Sequence, residues 1–253
     1  MRRMSLIGFM ANRNRRAGVA DTALGVLWDI LMPAANMFVY YFLIAIVFQR
    51  SGNYPAPAYL FIIIGISHYF FFNRFVTNAC NVVRSNSSVL MQVPLEPLVF
   101  SAVEFRQALG EFAVYVVLCA ILYAIVMPSP PGTVIYYPLL ALSLFFLTWS
   151  LGVFVATVCV FMRDVAKLVT IVLRLGLYCS AVLYPLDFLP APYKELLLLN
   201  PLATWFGLSH WVLYGSPPPP ISAIAGMIGF TIVVFVIGHV LYGRFKSQFT
   251  KAF

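Results

Sequence analysis

The sequence has few charged residues. Asp, Glu, Lys and Arg together make up 9% of its 253 residues, whereas hydrophobic residues make up 62%. A soluble domain carries about a quarter charged residues, so this composition excludes an ordinary soluble fold and predicts a protein built for lipid. The net charge of +8 does not indicate nucleic-acid binding, because Lys and Arg lie at the ends of apolar runs and do not cluster on one solvated face.

The sequence also lacks the patterns of a metal site or a membrane-embedded enzyme. It has no CxxC pair, no HExxH zinc motif and no DxxxD pair. GHVLYGRFK, at residues 238–246, has the spacing of a phosphate-binding loop, but Arg244 stands where that loop needs Lys and Phe245 where it needs Ser or Thr. We therefore expect no catalytic residue, metal or cofactor in this chain, and ATP would have to be bound by another polypeptide. The four cysteines are single, and we interpret them as small apolar residues: Cys80, Cys119, Cys159 and Cys179.

Apolar runs are long enough to cross a bilayer six times. A transmembrane helix needs about 20 mainly apolar residues. The sequence therefore predicts an all-α integral membrane protein whose 253 residues form a single transmembrane domain. The six predicted spans are residues 30–48, 59–79, 112–127 (extendable backward), 136–162, 168–186 and 221–242.

The distribution of Lys and Arg predicts the orientation. Six spans put both termini on one side, and twelve of the sixteen Lys and Arg residues fall on that side, against two on the other. The positive-inside rule then places both termini in the cytoplasm. Residues 1–29 become a cytoplasmic interfacial segment, residues 187–220 an external loop and residues 243–253 a cytoplasmic tail.

Two shorter segments complete the predicted architecture. In the first, Arg13, Arg15 and Arg16 are followed by apolar residues at helical spacing, namely Ala20, Leu24 and Leu27. This pattern suits an amphipathic helix in the membrane interface; a plain positive anchor for span 1 is the alternative. The second is the apolar stretch 196–213, which Asn200-Pro201 divides into pieces too short to cross. It predicts a re-entrant helical hairpin between spans 5 and 6.

Arg74 and Arg174 lie inside predicted spans. Charges within spans are costly and mark pathways or partner contacts, although long Arg side chains also reach the interface by snorkelling. Glu104 and Glu111 are seven residues apart and share one helix face. Aromatic side chains, 16% of the residues, either form an interfacial belt or line a pathway by stacking on sugars. The candidate pathway residues are Arg74, Arg174, Tyr69, Phe72, Trp205 and Trp211.

Five stretches occur in an order that resembles a known family. They are RRAGVADTALGVLWDILMPAANMFVY (15–40), YLFIIIGISHYFFFN (59–73), NVVRSNSSVLMQVPLEPLVF (81–100), FMRDVAKLVTIVLRLGLYCSAVLYPLDFLP (161–190) and LLLLNPLATW (196–205). In this order they resemble five features of type-2 ABC exporter permeases. The first is similar to the entry into helix 1, the second to the aromatic helix 2 and the third to the polar turn after it. The fourth is similar to the Arg-Asp turn with helix 5, and the fifth to the Asn-Pro hairpin. The polysaccharide subgroup, which exports capsule and O-antigen, is the most similar.

This resemblance implies a function, partners and a location. The chain would be the permease subunit of an ATP-driven exporter in the bacterial inner membrane, acting as a homodimer with two ATP-binding subunits that hold ATP and Mg²⁺. Its cargo would be a lipid-linked capsular polysaccharide or O-antigen, with periplasmic and outer-membrane export components as further partners. Arg13, Arg15 and Arg16 would contact lipid headgroups or the lipid carrier.

The resemblance also suggests a role for the polar turn SNSSVLMQVPLEP (85–97). The family's segment between helices 2 and 3 is a short coupling helix seated on the ATPase. Serine and asparagine side chains favour the start of a helix, and prolines end one; a simple loop with prolines is the alternative. The expected coupling residues are Asn86, Val89, Leu90, Val93 and Pro94.

Two rival functions stay open at the level of sequence. One is an exporter of the same type whose cargo is a small drug or a lipid. The other is a membrane-embedded enzyme with no ATPase partner, against which the missing metal and acid-base residues argue.

Overall fold

The computed structural model describes residues 10, 27–47, 56–92, 96–246 and 248. Within these residues the secondary structure is helical, and we number the α-helices α1 to α9 in chain order. They are α1 (Trp28–Tyr41), α2 (Ala58–Ser85), α3 (Ser87–Gln92), α4 (Leu98–Val126), α5 (Tyr137–Phe161), α6 (Arg163–Tyr178), α7 (Ala191–Leu197), α8 (Pro201–Tyr214) and α9 (Ile221–Phe245). A π-helical segment, Phe42–Val47, extends α1, and 3₁₀ turns Gly132–Tyr136 and Leu186–Phe188 precede α5 and α7.

Four of the described helical segments are long and apolar enough to cross a membrane, and the bent pair α7 and α8 would raise the number to five. The four are α2, α4, α9 and the continuous segment Gly132–Phe161. They correspond to predicted spans 2, 3, 6 and 4, and α4 begins at Leu98, as the backward extension of span 3 allowed. α1 and α6 correspond to spans 1 and 5 but are shorter, with 14 and 16 α-helical residues.

The helix of predicted span 5 ends earlier than the sequence indicated. We predicted a span over residues 168–186, but α6 ends at Tyr178. Ala181 adopts a left-handed conformation, with φ of 54°, and Pro185 cannot donate a backbone hydrogen bond. The terminal part of the predicted run is therefore a turn, buried at Ser180, Ala181 and Val182.

α2 is the central helix of the fold. It packs against α4 and α5, and α5 in turn packs against α9. α2 and α5 are in close contact at Gly152, where an added Cβ would collide with the Phe75 ring. The core is rich in aromatic side chains on α2, and their neighbours include Phe105, Phe112 and Trp149.

α7 and α8 are bent by 109° across the break at residues 198–200, where the sequence predicted a division. Asn200 connects this break to the end of α6. Its Oδ1 accepts from the backbone N of Leu202 (3.0 Å), which caps α8, and its Nδ2 donates to the Cys179 carbonyl (2.8 Å) and the Ser180 hydroxyl (3.0 Å). One amide thus satisfies backbone groups at two helix ends.

α8 enters the core after this break. Trp205 is completely buried, and its Nε1 donates to the Leu140 carbonyl (3.1 Å) and the Ser143 hydroxyl (3.0 Å) of α5. At its far end, Gly215 has φ of 69°, a left-handed conformation that glycine adopts without a steric penalty, and it ends the helix.

Candidate functional site

The polar turn after α2 contains the short helix α3. The Asn86 side chain donates to the Val82 carbonyl (2.8 Å), one of the last carbonyls of α2. The Asn86 carbonyl accepts from the backbone N of Val89 and of Leu90, both at 3.1 Å, so one residue ends α2 and begins α3. The described helix covers Ser87–Gln92, within the predicted segment 86–95. Val93 and Pro94 lie outside the described residues.

The two described apolar residues predicted for coupling face different surroundings. Leu90 is buried in a small cluster separate from the main core, whereas Val89 is half-buried at its edge. The buried members of this cluster come from α2, α3, α4 and α5, together with one residue of the N-terminal segment: Met10, Val82, Val83, Leu90, Val99, Phe100, Val103 and Val160. In this structure Leu90 anchors α3 to the long helices of its own chain, so of the two Val89 is the side chain that a partner can reach.

Arg74 lies between two carboxylates of α4. Its guanidinium forms an ion pair with Glu111 and lies 3.9 Å from Glu104. The sequence had placed these two glutamates on one helix face, and the structure shows that Arg74 is what that face contacts. Asn78, one turn further along α2, donates to Glu104 at 2.6 Å. Two carboxylates of α4 thus meet one guanidinium of α2 at this contact.

The other predicted pathway residues are not gathered at one surface of the single chain. Tyr69 and Phe72 are buried on α2, and the Tyr69 hydroxyl donates to the Leu173 carbonyl of α6. Trp205 is buried in the core, as described above. Trp211 is half-buried and stacks on Tyr136 with ring centroids 5.7 Å apart. Arg174 is exposed on α6.

Several polar contacts between helices were not predicted from the sequence. Besides the Asn78 contact, Asn36 of α1 donates to the Tyr115 hydroxyl of α4 at 3.1 Å. Arg84 donates to the Cys159 (3.4 Å) and Val160 (3.2 Å) carbonyls near the end of α5, where a cation also complements the helix dipole. The sequence feature that could have indicated these contacts is an isolated polar residue within an otherwise apolar helix, because such a residue faces protein more often than lipid.

Two further predictions concern ligands. The headgroup contacts Arg13, Arg15 and Arg16, and the N-terminal interface helix that would carry them, lie outside the described residues. Among the described side chains, no group of three His, Cys, Asp or Glu residues could hold a metal ion. His68, buried beside Trp205, has both ring nitrogens engaged: Nδ1 donates to the Ile64 carbonyl (2.8 Å) and Nε2 accepts from the Tyr137 hydroxyl (2.8 Å).

These features define a multi-pass membrane protein with a short polar helix at one end of its central span. The ABC-2 type transporter family matches residues 5–214. The chain belongs to this family and is therefore a transport permease.

Similar proteins of known name cover almost the whole chain. An O-antigen export system permease protein RfbA of Klebsiella pneumoniae is 22% identical over 254 residues, which are 97% of this chain and 94% of the relative. Another O-antigen export system permease protein RfbA, of Myxococcus xanthus, is 21% identical over 96% of this chain and 93% of its own. Polysialic acid transport protein KpsM of Escherichia coli is 25% identical over 91% of this chain and 89% of its own.

Proposed function

We propose that this permease exports a polysaccharide, O-antigen or capsular, joined to a lipid carrier. The observation that carries the proposal is the similarity, over more than nine tenths of the chain, to permeases named for O-antigen export and polysialic acid transport. Similarity of this extent includes the spans, the polar turn and the bent hairpin together. A drug or lipid exporter of the same type has no comparable support in these relatives.

The proposed topology has six spans, with both termini in the cytoplasm of a bacterium and the spans in its inner membrane. Its support is the excess of Lys and Arg on one side. α1 with its π-helical extension covers 20 residues, close to the length that a bilayer requires. α6 would be the fifth span, and the α7–α8 pair would re-enter from the outside.

The energy would come from a separate ATP-binding subunit, present in two copies on a homodimer of this chain and binding both ATP and Mg²⁺. α3 would be the coupling helix, through Asn86, Val89, Leu90, Val93 and Pro94. The support is physical: a helix that transmits force needs one face fixed to the permease and another open to the partner. Leu90 fits the first role and half-exposed Val89 the second.

The proposed pathway and lipid contacts rest on chemistry alone. Aromatic rings suit the apolar faces of sugars, and the six pathway candidates remain a prediction. A pathway role for buried Tyr69, Phe72 or Trp205 requires the helices around them to separate during transport. Arg13, Arg15 and Arg16 would attract the anionic group of a lipid carrier, and periplasmic and outer-membrane components would receive the cargo.

The test is deletion of the gene for this chain in its own host, with complementation by the wild-type protein. In the deletion strain we expect surface polysaccharide to be lost and lipid-linked polysaccharide to accumulate inside the cell. Complementation should restore the surface polysaccharide and remove the accumulation. Unchanged surface polysaccharide in the deletion strain would contradict the proposed cargo.

A further inference from the structure

Two buried cysteines contact each other across the interface between α2 and α5. The Cys80 thiol donates to the Val76 carbonyl of its own helix (3.4 Å), and its sulfur lies within hydrogen-bonding reach of the Cys159 sulfur. Both side chains are buried in the main core. The sequence predicted small apolar cysteines, but two thiols in contact also have a chemistry that a single buried cysteine lacks.

The packing around the pair supports this contact independently. Arg84 lies one turn after Cys80 on the same face of α2, and its guanidinium donates to the Cys159 (3.4 Å) and Val160 (3.2 Å) carbonyls. The face of α2 that carries Cys80 is therefore turned towards the last turn of α5. The two helices are also in close contact further along, since an added Cβ at Gly152 would collide with a side chain of α2.

The other two cysteines have different neighbours. Cys119 of α4 is buried and donates to the Ser67 hydroxyl (3.5 Å), whereas Cys179 is exposed after the end of α6. Neither has another cysteine among its described contacts. Oxidation within one chain would therefore join Cys80 to Cys159.

The pair lies close to the ends of both helices. Cys80 precedes the end of α2, at Ser85, by less than two turns, and Cys159 precedes the end of α5, at Phe161, by less than one. In the proposed topology these ends face the cytoplasm. Helix ends open locally at a much lower free-energy cost than helix centres, so an oxidant as small as hydrogen peroxide needs only a short opening to reach the sulfurs.

The same two helix ends anchor α3. Val83 of α2 and Val160 of α5 belong to the small cluster in which Leu90 is buried, and each follows one of the two cysteines by one to three residues. A covalent bond between Cys80 and Cys159 would hold these helix ends at a fixed distance. It would therefore also restrict the surface to which α3 is anchored.

We propose that Cys80 and Cys159 are a peroxide-sensitive dithiol, and that their disulfide fixes α2 to α5 beside α3 and slows ATP-driven export. The disulfide itself stands on the contact of the two side chains, whereas its effect on export rests on the proposed function. Disulfides in a reducing cytoplasm are usually transient and redox-sensing, which is the role inferred for this pair.

The chemistry needs one molecule of hydrogen peroxide for each disulfide. The sulfur of one thiol attacks the peroxide, the O–O bond breaks, and a sulfenic acid and one water form. The sulfur of the second thiol then attacks the sulfenic sulfur, so that the S–O bond breaks and the S–S bond forms, with release of a second water. Two thiols are oxidised, the peroxide is reduced, and the protons of both thiols leave in the two waters.

The experiment treats the purified permease, alone and in complex with its ATP-binding subunit, with hydrogen peroxide. The background is Cys119→Ala with Cys179→Ala, which leaves Cys80 and Cys159 as the permease's cysteines. The matched control adds Cys80→Ala to this background. Remaining thiols are alkylated, the disulfide is identified by mass spectrometry of the digested chain, and ATP hydrolysis is measured before and after reduction with dithiothreitol.

We expect a pair of peptides joined through Cys80 and Cys159, lighter by two hydrogen atoms than the two reduced peptides together. ATP hydrolysis by the complex should fall in proportion to the crosslinked fraction and return on reduction. With Cys80→Ala, peroxide should give no such pair and no reversible loss of ATP hydrolysis. This control also reveals any loss that comes from cysteines of the ATP-binding subunit.

The proposal is overturned if peroxide leaves both thiols free, or oxidises them singly without forming the disulfide. It is also overturned if the disulfide forms and ATP hydrolysis by the complex is unchanged, or if the Cys80→Ala control loses the same activity. A permease that forms the disulfide but has no ATP-binding subunit would contradict the proposed function and support the dithiol. An active complex that forms no disulfide would do the reverse.

Discussion

The side chain of Asn200 connects the bend between α7 and α8 to the end of α6. Its amide caps α8 and also bonds the end of α6, so the bend at residues 198–200 and the turn after Tyr178 are held together. Alanine would remove both functions, whereas aspartate would keep the capping oxygen and lose the two donated bonds.

We expect Asn200→Ala to lower the free energy of unfolding by about 1–3 kcal/mol, and Asn200→Asp to lower it by less. Thermal unfolding of the purified protein in mild detergent measures both. Equal losses for the two variants would mean that the cap contributes nothing, and no loss in either would contradict the proposed bracing role.

Arg74 is a second residue whose role depends on its neighbours. The sequence left snorkelling and a pathway role open, whereas the structure pairs its guanidinium with Glu111 and Glu104 of α4. The pairing does not exclude a role in transport, but it gives the arginine a structural partner that the sequence did not name.

A double-mutant cycle of Arg74→Ala and Glu111→Ala should give a coupling free energy of about 1 kcal/mol, because both side chains are only partly exposed. The matched control is the Asp164–Lys167 pair on α6, whose side chains are 91% and 83% exposed, and its coupling should be about 0.3 kcal/mol or less. Additive effects at Arg74 and Glu111 would show that the ion pair does not stabilise the protein.

At the scale of elements, α3 connects the long helices to the surface where a partner would bind. Replacing Leu90 with aspartate would bury a charge in the chain's own apolar cluster, so a loss of function in that variant would not identify a partner contact. Val89 gives a cleaner test because it is half-exposed.

We expect Val89→Asp to reduce recovery of the ATP-binding subunit about tenfold, since a charge on an apolar contact costs about 1–2 kcal/mol, with little change in permease stability. Leu90→Ala should instead lower permease stability by about 2–4 kcal/mol. Pull-down and thermal unfolding of the same samples separate the two effects. Full recovery of the subunit with Val89→Asp would contradict the coupling assignment for this face.

The elements predicted best from sequence are those defined by apolar length alone. α2, α4, α5 and α9 follow from long runs free of interior breaks. The end of α6 does not, because residues 179–186 are as apolar as a helix, and the turn there depends on contacts with Asn200, 20 residues later in the chain. The burial of Leu90 was missed for a related reason: its neighbours come from three other helices.

At the scale of the whole molecule, a single chain exposes apolar side chains on most of its long helices. Examples are Phe38 of α1, Ile125 of α4, Val172 of α6 and Val240 of α9, each more than half exposed. In the proposed assembly, membrane lipid and a second copy of the chain would cover these surfaces. The polar contacts, in contrast, join elements of the same chain, as at Arg74, Asn200 and Trp205.

The central claim is that this chain works as a permease driven by a separate ATPase. The most direct measurement is to purify the tagged chain from its own host in mild detergent, identify the proteins that copurify and assay the complex for ATP hydrolysis. The account predicts an ATP-binding subunit in a 1:1 ratio with the permease, consistent with two copies of each, and ATPase activity in the complex. A chain that purifies alone at every detergent strength, without ATPase activity, would contradict it.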